Sequence, residues 1–285
     1  MLDFIADEIA LLTPERLEES AWLEHTPFAF AVVKCHKPSI LVELGTHSGV
    51  SYCAFCQGVS ASNISCKCYA VDNWIGDEHA GFYDAEVFEE LSDYHGKKYS
   101  HFSQLKKMSF DQALGDFSDE SIDLLHIDGC HAYEAVKHDF ESWLPKMTHR
   151  GIVLLHDTAV TERDFGVWRF FRELESQYPT FEFTHGYGLG IVGVGSLIRK
   201  EPIWELFEAG QQEALFVKGF FSILGERVAL LSEVRGHTAL VAAKDAQYAD
   251  LARKYTAMVH SASWQVTRPF RVLWRLSKQY SSARE

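Results

Sequence analysis

Short apolar segments alternate with helical patterns through the first two thirds of this 285-residue chain, and each apolar segment ends at or beside an acidic residue. They are SILVELG (39–45), CYAVD (68–72), SIDLLHID (121–128) and GIVLLHD (151–157). Helical patterns are predicted over residues 49–59, 85–95, 133–144 and 165–178. This alternation predicts an α/β fold with a parallel sheet covered by helices on both faces. Because ligands of such sheets bind beyond the carboxyl ends of the strands, the acidic residues mark the edge where a site is expected.

The flanking parts of the chain have different patterns. Residues 14–37 favour helix, and residues 180–195 have the pattern of two paired strands that close the sheet. From about residue 201 to Pro269 the pattern is one long helical region with few breakers. The sequence therefore predicts an N-terminal helical cap (1–37), a central domain (38–200) and a long C-terminal helical tail (201–285).

Composition excludes several classes of protein. A hydrophobic content of 47% is too high for a disordered chain, and a net charge of −13 argues against nucleic acid as a partner. The N-terminus is acidic and no apolar run reaches the roughly 18 residues that span a bilayer, so a cytoplasmic protein is expected. From Arg253 to the end, seven basic residues stand against one acidic residue, so this part carries +6 and the rest carries −19.

A glycine-containing turn follows the first predicted strand in VELGTHSGVSY. Gly45 and Gly49 let the backbone turn tightly and approach a ligand closely at the start of a helix. A dinucleotide-binding loop would read G-x-G-x-x-G, whereas here Glu43 leads and the glycines are four residues apart. This pattern is typical of S-adenosylmethionine (SAM) methyltransferases, in which the acid can meet the positively charged amino end of the cofactor. Thr46 and Ser51 belong to the same predicted cofactor loop.

Asp72 ends the next predicted strand. An acid at this position is well placed to accept hydrogen bonds from the two ribose hydroxyls of a nucleoside cofactor. The alternative is that Asp72 caps the helix that follows.

Four segments in order carry a resemblance to a known family: VELGTHSGVSYCAFC, AVDNWIGDEHAGFY, SIDLLHIDGCHAYEAVKHDFESWLPK and RGIVLLHDTAVTERDFGVW. Together they resemble the class I SAM-dependent methyltransferases of the family that includes macrocin-type sugar O-methyltransferases and cephalosporin hydroxylase-like proteins. Relatives of this kind occur in bacterial polysaccharide and O-antigen gene sets. The resemblance covers roughly residues 22–195. It implies a Rossmann-like sheet of seven strands whose last strand is antiparallel, and methyl transfer from SAM to a sugar hydroxyl.

The resemblance also implies a metal site. Family members bind Mg²⁺ through an Asp after the fourth strand and two residues after the fifth, and these positions match Asp128, His156 and Asp157. Relatives often have a carboxylate where this chain has His156, and because Mg²⁺ prefers oxygen ligands, Mn²⁺ is the alternative metal. In the absence of a metal, His156 would be a satisfied strand-end histidine and Asp157 a helix cap.

His131 lies three residues after Asp128, in the pattern HIDGxH whose histidine is the proposed base of the resembling family. A sugar hydroxyl is too weak an acid to ionise at neutral pH, so a base must take its proton as the methyl group transfers. We therefore predict that His131 and Asp128 are catalytic. His126 lies on the same face of its strand as Asp128 but deeper, so a structural role is expected.

Further contacts are predicted around this edge. Met108 and Ser109 follow the third strand, where the relatives contact adenine. The polar and aromatic segment after Asp72 is predicted to form a lid over the substrate, with Trp74, Asp77, His79 and Tyr83 as contacts; an ordinary surface loop is the alternative. His185 and Tyr187 are predicted to touch the acceptor at the same rim, with a hairpin turn as the alternative. Trp22, His25 and Phe28 are predicted to cover the cofactor or acceptor, and for them, as for Met108 and Ser109, core packing is the alternative.

The sequence of the tail predicts that the protein associates with other molecules. Its Leu and Val residues recur at intervals of three and four positions, a pattern that favours pairing with a second copy of the chain in a homo-oligomer. Basic and aromatic residues mix in SASWQVTRPFRVLWRL (261–276), which suits the inner face of an anionic membrane or a glycan-assembly complex, with an intrachain packing helix as the alternative. The predicted function is SAM-dependent methylation of a sugar or polysaccharide hydroxyl. The alternatives are methylation of a small natural product and a non-catalytic assembly module.

Overall fold

The computed structural model of the protein describes residues 8–77, 81–162 and 164–266. In these residues, nine strands form one sheet of seven strands and a second sheet of two. The strands are β1 (Ile40–Leu44), β2 (Lys67–Asp72), β3 (Gly76–Asp77), β4 (Gly81–Phe82), β5 (Ser103–Lys107), β6 (Ile122–Ile127), β7 (Met147–His156), β8 (Thr180–Phe183) and β9 (Leu189–Gly193).

The large sheet has the strand order β5-β2-β1-β6-β7-β9-β8. The first five strands of this order are parallel, and β9 is antiparallel to both of its neighbours. This topology confirms the predicted Rossmann-like sheet, its antiparallel last strand and the strand pair predicted over residues 180–195. The order reverses between β1 and β6, so a crevice opens at the carboxyl ends of these two strands.

Helices cover both faces of the sheet. They are α1 (Thr26–His36), α2 (Val50–Ser62), α3 (Ala85–Lys98), α4 (Phe110–Ala113), α5 (Tyr133–Trp143), α6 (Val167–Leu174), α7 (Trp204–Glu208), α8 (Gln211–His260) and α9 (Ala262–Val266). One apolar cluster contains residues of α1 and α2, and a second contains residues of α5 and α6. On α5 the buried apolar residues Val136, Phe140 and Trp143 are four and three positions apart, which places them on one helix face. The four predicted helices of the central domain are confirmed, each beginning within two residues of its predicted start.

The N-terminal segment is less helical than its sequence predicts. Within residues 14–37, only a 3₁₀ turn at Leu23–His25 and helix α1 are helical. The preceding residues bind to the α2 region instead: the Glu15 amide donates to Gln57 Oε1 at 2.9 Å, and Arg16 Nε donates to the Ser48 carbonyl at 2.6 Å. These tertiary hydrogen bonds replace those of a helix, so the propensity of this segment is overridden.

The C-terminal part confirms the predicted long helix, which α8 forms over 50 residues. The chain divides into two compact units between Ser232 and Glu233, later than the predicted boundary at residue 200. The reason is that Val217, Phe221 and Leu224, in the first half of α8, belong to the core of the first unit.

The predicted roles of the tail in self-association and membrane contact stay predictions. Residues 267–285 and the side chain of Trp264 lie outside the described residues. None of the helices in the part of the chain that the structure describes is long and apolar enough to cross a bilayer.

Candidate active site

A cavity of about 840 Å³ lies at the carboxyl edge of the sheet, within the first compact unit. This volume is within the range of about 300–1,000 Å³ that small-molecule and cofactor sites occupy. Its walls come from the ends of β1, β2, β6 and β7 and from the loops that follow them, and they include Gly45, Thr46, Ser51, Asp72, Ser109, Asp128, His131, His156 and Asp157. The cavity therefore collects most of the residues that the sequence assigns to cofactor, metal and base.

The loop after β1 needs glycine at two positions. Gly45 and Gly49 have φ values of +87° and +80°, in the left-handed region that L-residues rarely adopt. A Cβ on Gly45 would lie 2.0 Å from the Asp128 carbonyl oxygen, and one on Gly49 would lie 2.4 Å from Leu91 Cδ1. Gly45 thus lets the loop after β1 contact the loop after β6 backbone to backbone.

Asp72 at the end of β2 holds this loop in place. One carboxylate oxygen, Oδ2, accepts from the Thr46 amide at 2.8 Å and the His47 amide at 2.9 Å, and Oδ1 accepts from the Trp74 amide at 2.7 Å. Asp72 does not cap the next helix, since α3 begins at Ala85. A carboxylate offers about four acceptor positions, so one remains on Oδ1 for a ligand.

Glu43 lies behind the cavity wall rather than on it. Its side chain is fully buried, and its Oε2 accepts from His126 Nδ1 at 2.8 Å. His126 Nε2 accepts in turn from Trp22 Nε1 at 3.0 Å, which fixes the His126 tautomer with its proton on Nδ1. Burial raises the pKa of the Glu43 carboxyl, while the hydrogen bond from His126 opposes that rise. Glu43 thus faces His126 and Trp22, and its contact with the amino end of the cofactor stays a prediction. The structural role expected of His126 agrees with these contacts.

Four titratable side chains converge at the ends of β6 and β7. His131 Nε2 lies 3.0 Å from Asp157 Oδ2 and 3.8 Å from Asp128 Oδ1. His156 Nδ1 lies 3.2 Å from each of these two carboxylate oxygens. The ligand atoms of Asp128, His131 and Asp157 all fall within 4.8 Å of one another, a spacing that could hold a metal ion. The predicted trio of Asp128, His156 and Asp157 is thus brought together, with His131 as a fourth member.

Both ring nitrogens of His156 face hydrogen-bond acceptors, so the cluster lacks a positive charge unless His156 is protonated. Its Nε2 lies 3.2 Å from the Gly186 carbonyl, so this nitrogen must carry a proton. Its Nδ1 faces two carboxylates, which are also acceptors when ionised. A neutral imidazole has only one N–H and cannot satisfy both sides. Either His156 is an imidazolium, or Nδ1 binds a cation while Nε2–H donates to a backbone carbonyl, the arrangement that metal-bound histidines usually show.

The same cluster shifts the affinities of its members for protons. Burial opposes ionisation of Asp128, but the positive charge of His156 and the hydrogen bond of His131 lower the pKa of Asp128 well below its usual range. For His131, burial opposes protonation, but hydrogen bonds and charges of Asp128 and Asp157 raise its pKa to about 9. The pKa of His156 is raised by the same two carboxylates despite complete burial. The protein alone therefore balances two negative charges with protons on histidine.

His131 is held by its surroundings as well as by acids. Its ring stacks on Phe165 with centroids 4.5 Å apart and planes 6° from parallel. The His131 carbonyl accepts from the Gly166 amide at 2.8 Å, which joins the loop after β6 to the start of α6. The imidazole plane is therefore fixed beside the acids.

The predicted lid is only partly a cavity wall. Trp74 is 4% exposed, packs on Phe88 with ring centroids 4.7 Å apart, and donates from Nε1 to the His47 carbonyl. It is therefore packed as a core residue, and its contact with substrate stays a prediction. Tyr83 does line the cavity and stacks on His47 at 4.3 Å. The predictions for His79 and for the side chain of Asp77 lie outside the described residues.

At the opposite rim, Tyr187 lines the cavity and is 55% exposed. It has a φ of 70° between Gly186 and Gly188, which also have positive φ values. The rings of His185 and His25 pack behind this rim with centroids 4.9 Å apart and planes tilted by 38°, and His25 Nε2 donates to the Gly186 carbonyl at 2.9 Å. Tyr187 therefore lies on the cavity wall, whereas His25 and His185 do not line the cavity, and the acceptor contacts predicted for these residues stay predictions.

The remaining predictions divide between wall and core. Trp22 lines the cavity although it is 2% exposed, whereas Phe28 packs on Phe183 and Phe221 in the core. Ser109 lines the cavity and caps α4 with a complete capping box. Met108 packs against the apolar cluster of α5 and α6, and its amide donates to the Asp72 carbonyl at 3.0 Å.

Sequence reasoning missed three side chains on the cavity wall. His47 lies inside the glycine motif, and its φ of 48° is a signal only in the structure. Asp139 and Phe165 lie in two of the segments that carry the family resemblance, but only the fold brings Phe165 to His131 and Asp139 to Gly129. No residue pattern in the sequence distinguishes them from core positions.

Comparison with known proteins agrees with this arrangement. Residues 42–158 match the family model of a methyltransferase domain. The matched segment runs from β1 to just beyond β7, and it contains the glycine loop, Asp72 and the acid cluster. Five of the seven strands of the large sheet, β1, β2, β5, β6 and β7, contribute residues to this segment that matches a methyltransferase domain.

Among curated proteins, the chain is similar to the uncharacterized protein y4gI of Sinorhizobium fredii, with 48% identity over 179 residues. The alignment covers 63% of this chain and 20% of y4gI, so the chain spans about one fifth of the length of that relative.

Solved structures with a similar fold include the S-adenosylhomocysteine-bound Podospora anserina methyltransferase PaMTH1, at 14% identity and a TM-score of 0.46, covering 67% of this chain and 87% of that one. Another is the O-methyltransferase TomG of Streptomyces achromogenes, involved in tomaymycin synthesis and solved with SAM, at 14% identity and a TM-score of 0.45, covering 64% and 83% of the two chains.

Proposed function

We propose that the protein transfers the methyl group of SAM to a hydroxyl oxygen of a sugar, in a bacterial surface polysaccharide or its precursor. The observation that carries the proposal is the place of His131. Its Nε2 lies 3.0 Å from Asp157 Oδ2, on the wall of the same cavity that the glycine loop and Asp72 form. A residue able to move a proton and a loop able to hold a nucleoside thus face one space.

The cavity fits a nucleoside cofactor. The acceptor position left on Asp72 Oδ1 would receive a ribose hydroxyl, and the backbone of Gly45 would lie against the ligand without a Cβ between them. Thr46 and Ser51 belong to the same wall. When bound, SAM supplies a methyl group on a positively charged sulfur, which leaves as a neutral thioether.

A divalent cation fits the acid cluster because it would satisfy Asp128, Asp157 and His156 Nδ1 together. The imidazole donors favour Mn²⁺ or another transition metal over Mg²⁺, which prefers oxygen ligands. Such a cation would neutralise the carboxylates that hold the proton on His131 and would lower the pKa of a bound hydroxyl. His131 would then be free to take the proton of the acceptor hydroxyl as the methyl group transfers.

A carbohydrate acceptor is supported by the rim. Tyr187 exposes 55% of its surface in a backbone conformation that costs a non-glycine residue roughly 1–2 kcal/mol. Strain of this kind persists where function requires a side chain in one place. Tyr83 and Glu24 line the same cavity. Aromatic faces beside carboxylates suit a sugar, which has apolar CH faces as well as hydroxyl donors.

Calorimetric titration with S-adenosylhomocysteine tests the proposal without knowledge of the acceptor. We expect micromolar binding, and heat from Mn²⁺ added to protein previously treated with chelator. Asp157→Asn should abolish the heat of Mn²⁺ and retain S-adenosylhomocysteine binding. Absence of S-adenosylhomocysteine binding with and without metal would overturn the methyltransferase proposal. Cofactor binding without any heat from Mn²⁺ would remove only the metal.

A further inference from the structure

One buried carboxylate on the cavity wall has no partner among the residues that the structure describes. Asp139 on α5 is 7% exposed, and its side chain neither forms an ion pair nor accepts a hydrogen bond from any of these residues. Asp123 is buried to a similar degree but accepts from the Ser39 amide at 2.7 Å and from Thr148 Oγ1 at 2.8 Å. Because Asp139 lines the cavity, its carboxylate is accessible to a hydrogen-bond donor of a bound ligand.

The position of Asp139 shows where the missing donor would lie. Asp139 lines the cavity together with Phe110 and Gly129. A Cβ built on Gly129 would lie 2.6 Å from the Phe110 ring and 3.6 Å from Asp139 Oδ2. Burial is the main cause that raises the pKa of Asp139, to about 6, and the charge of Asp111 adds to it. An aromatic edge, a bare backbone and an unpaired carboxylate therefore meet at one end of the cavity.

This end of the cavity is adjacent to the place proposed for the ribose. Met108 donates from its amide to the carbonyl of Asp72, so the loop that carries Phe110 starts beside the end of β2. A base attached to a ribose at Asp72 would lie along this loop and reach Phe110 and Asp139. The base of SAM is adenine, a flat ring whose exocyclic 6-amino group donates hydrogen bonds and does not accept them.

We propose that Asp139 accepts a hydrogen bond from the 6-amino group of the cofactor's adenine and thereby selects a 6-aminopurine over a 6-oxopurine. This inference rests on the proposed SAM-dependent function. A 6-oxopurine presents an acceptor in the same place, opposite an acceptor that has no other partner. A site built to pair with a donor rejects a ligand that lacks it, because the buried acceptor is then left unsatisfied.

The test compares two ligands by calorimetry at pH 8: S-adenosylhomocysteine and S-inosylhomocysteine, which has a 6-oxo group. We expect the wild-type protein to bind the adenosyl compound at least 10-fold more tightly. Asp139→Asn retains the shape of the side chain but adds an amide donor, so the preference should shrink at least 10-fold. Asp139→Ala should weaken binding of the adenosyl compound and leave little preference.

Glu141→Gln is the matched control. Glu141 lies on the same helix but does not line the cavity, is exposed and pairs with Lys137 Nζ at 3.9 Å, so its replacement should leave the preference unchanged. Thermal unfolding of each variant shows whether it is folded, and removal of an unpaired buried carboxylate should not lower the melting temperature. If wild type binds S-adenosylhomocysteine and folded Asp139→Asn and Asp139→Ala both retain its full preference, the inference is wrong while the proposed function stands. If wild type binds neither ligand, both are wrong.

Discussion

Two buried polar clusters occupy opposite ends of strands β6 and β7, and they differ in how their carboxylates are paired. At the amino end, Asp123 accepts from the Ser39 amide and Thr148 Oγ1, and its carbonyl accepts from His36 Nε2 at 3.1 Å. Arg150 donates to Glu201 at 2.6 Å. Both oxygens of the Asp123 carboxylate therefore have donors within the protein.

At the carboxyl end, the hydrogen-bond acceptors outnumber the donors unless the histidines are protonated. Asp128 and Asp157 share the nitrogens of His131 and His156, and His156 faces acceptors on both sides of its ring. The carboxylate at the amino end is thus paired by a neutral amide and a neutral hydroxyl, whereas the two carboxylates at the other end face histidines. This contrast shows that the way the carboxylate charge is balanced, rather than the presence of His and Asp, distinguishes the candidate site from the structural cluster.

Replacement of His131 should have the largest effect and only on catalysis. His131→Ala removes the proposed base, so methyl transfer should fall by about 10²- to 10⁴-fold. The assay follows radiolabelled methyl from SAM into polysaccharide purified from cells whose gene for this protein has been deleted. S-adenosylhomocysteine binding should be retained. His138→Ala, on the exposed side of α5, is the control and should transfer methyl at the wild-type rate; equal rates for both variants would remove His131 as the base.

Replacement of Asp123 should have a large effect on stability. Asp123→Ala leaves the Ser39 amide and Thr148 Oγ1 without their acceptor, and the free energy of unfolding should fall by about 3 kcal/mol. Urea unfolding followed by tryptophan fluorescence measures the change. Asp119→Ala removes an exposed ion pair with Lys146 and should change the free energy by less than about 0.5 kcal/mol. Equal small changes would show that the amino-end cluster is not structural.

The smallest effect is a dependence of stability on pH. Burial and the charge of Arg150 lower the pKa of His36 to about 4. In the unfolded chain its pKa is about 6.5, so between these values the unfolded state binds the extra proton and stability falls as pH falls. From pH 6.5 to pH 5, His36 should account for about 2 kcal/mol of this loss.

The difference between wild type and His36→Gln isolates this contribution. Unfolding free energies measured across this pH range should show a shallower slope in the variant, which has no titrating group at that position. The same slope in both proteins would contradict the assignment to His36.

The family resemblance was sufficient to predict the centre of the site. It implies a sheet in which the strands before Asp128 and before His156 and Asp157 are neighbours, and the structure has these two strands paired. The direction of Glu43 could not be predicted in the same way. Alternation along β1 shows that it faces opposite to Leu44, but only the packed structure shows that Trp22 and His126 fill the space on its side.

Side chains that the fold brings from other elements were beyond prediction. Trp74 follows Asp72 in a polar segment and has the composition of a lid, yet tertiary packing on Phe88 buries it. Asp139 lies on the buried face of α5, where the helical pattern predicts an apolar residue. Its access to the cavity depends on how α5 packs near Phe110. Such contacts depend on distances between elements, and local pattern carries no information about these distances.

The contact between Gly45 and the Asp128 carbonyl has a thermodynamic consequence. The two loops touch through backbone atoms, with no side chain between them that could yield. A ligand that moves one loop therefore moves the other, and the occupancy of the nucleoside pocket and that of the acid cluster are linked. By reciprocity, whatever factor one ligand applies to the affinity of the second, the second applies to the first.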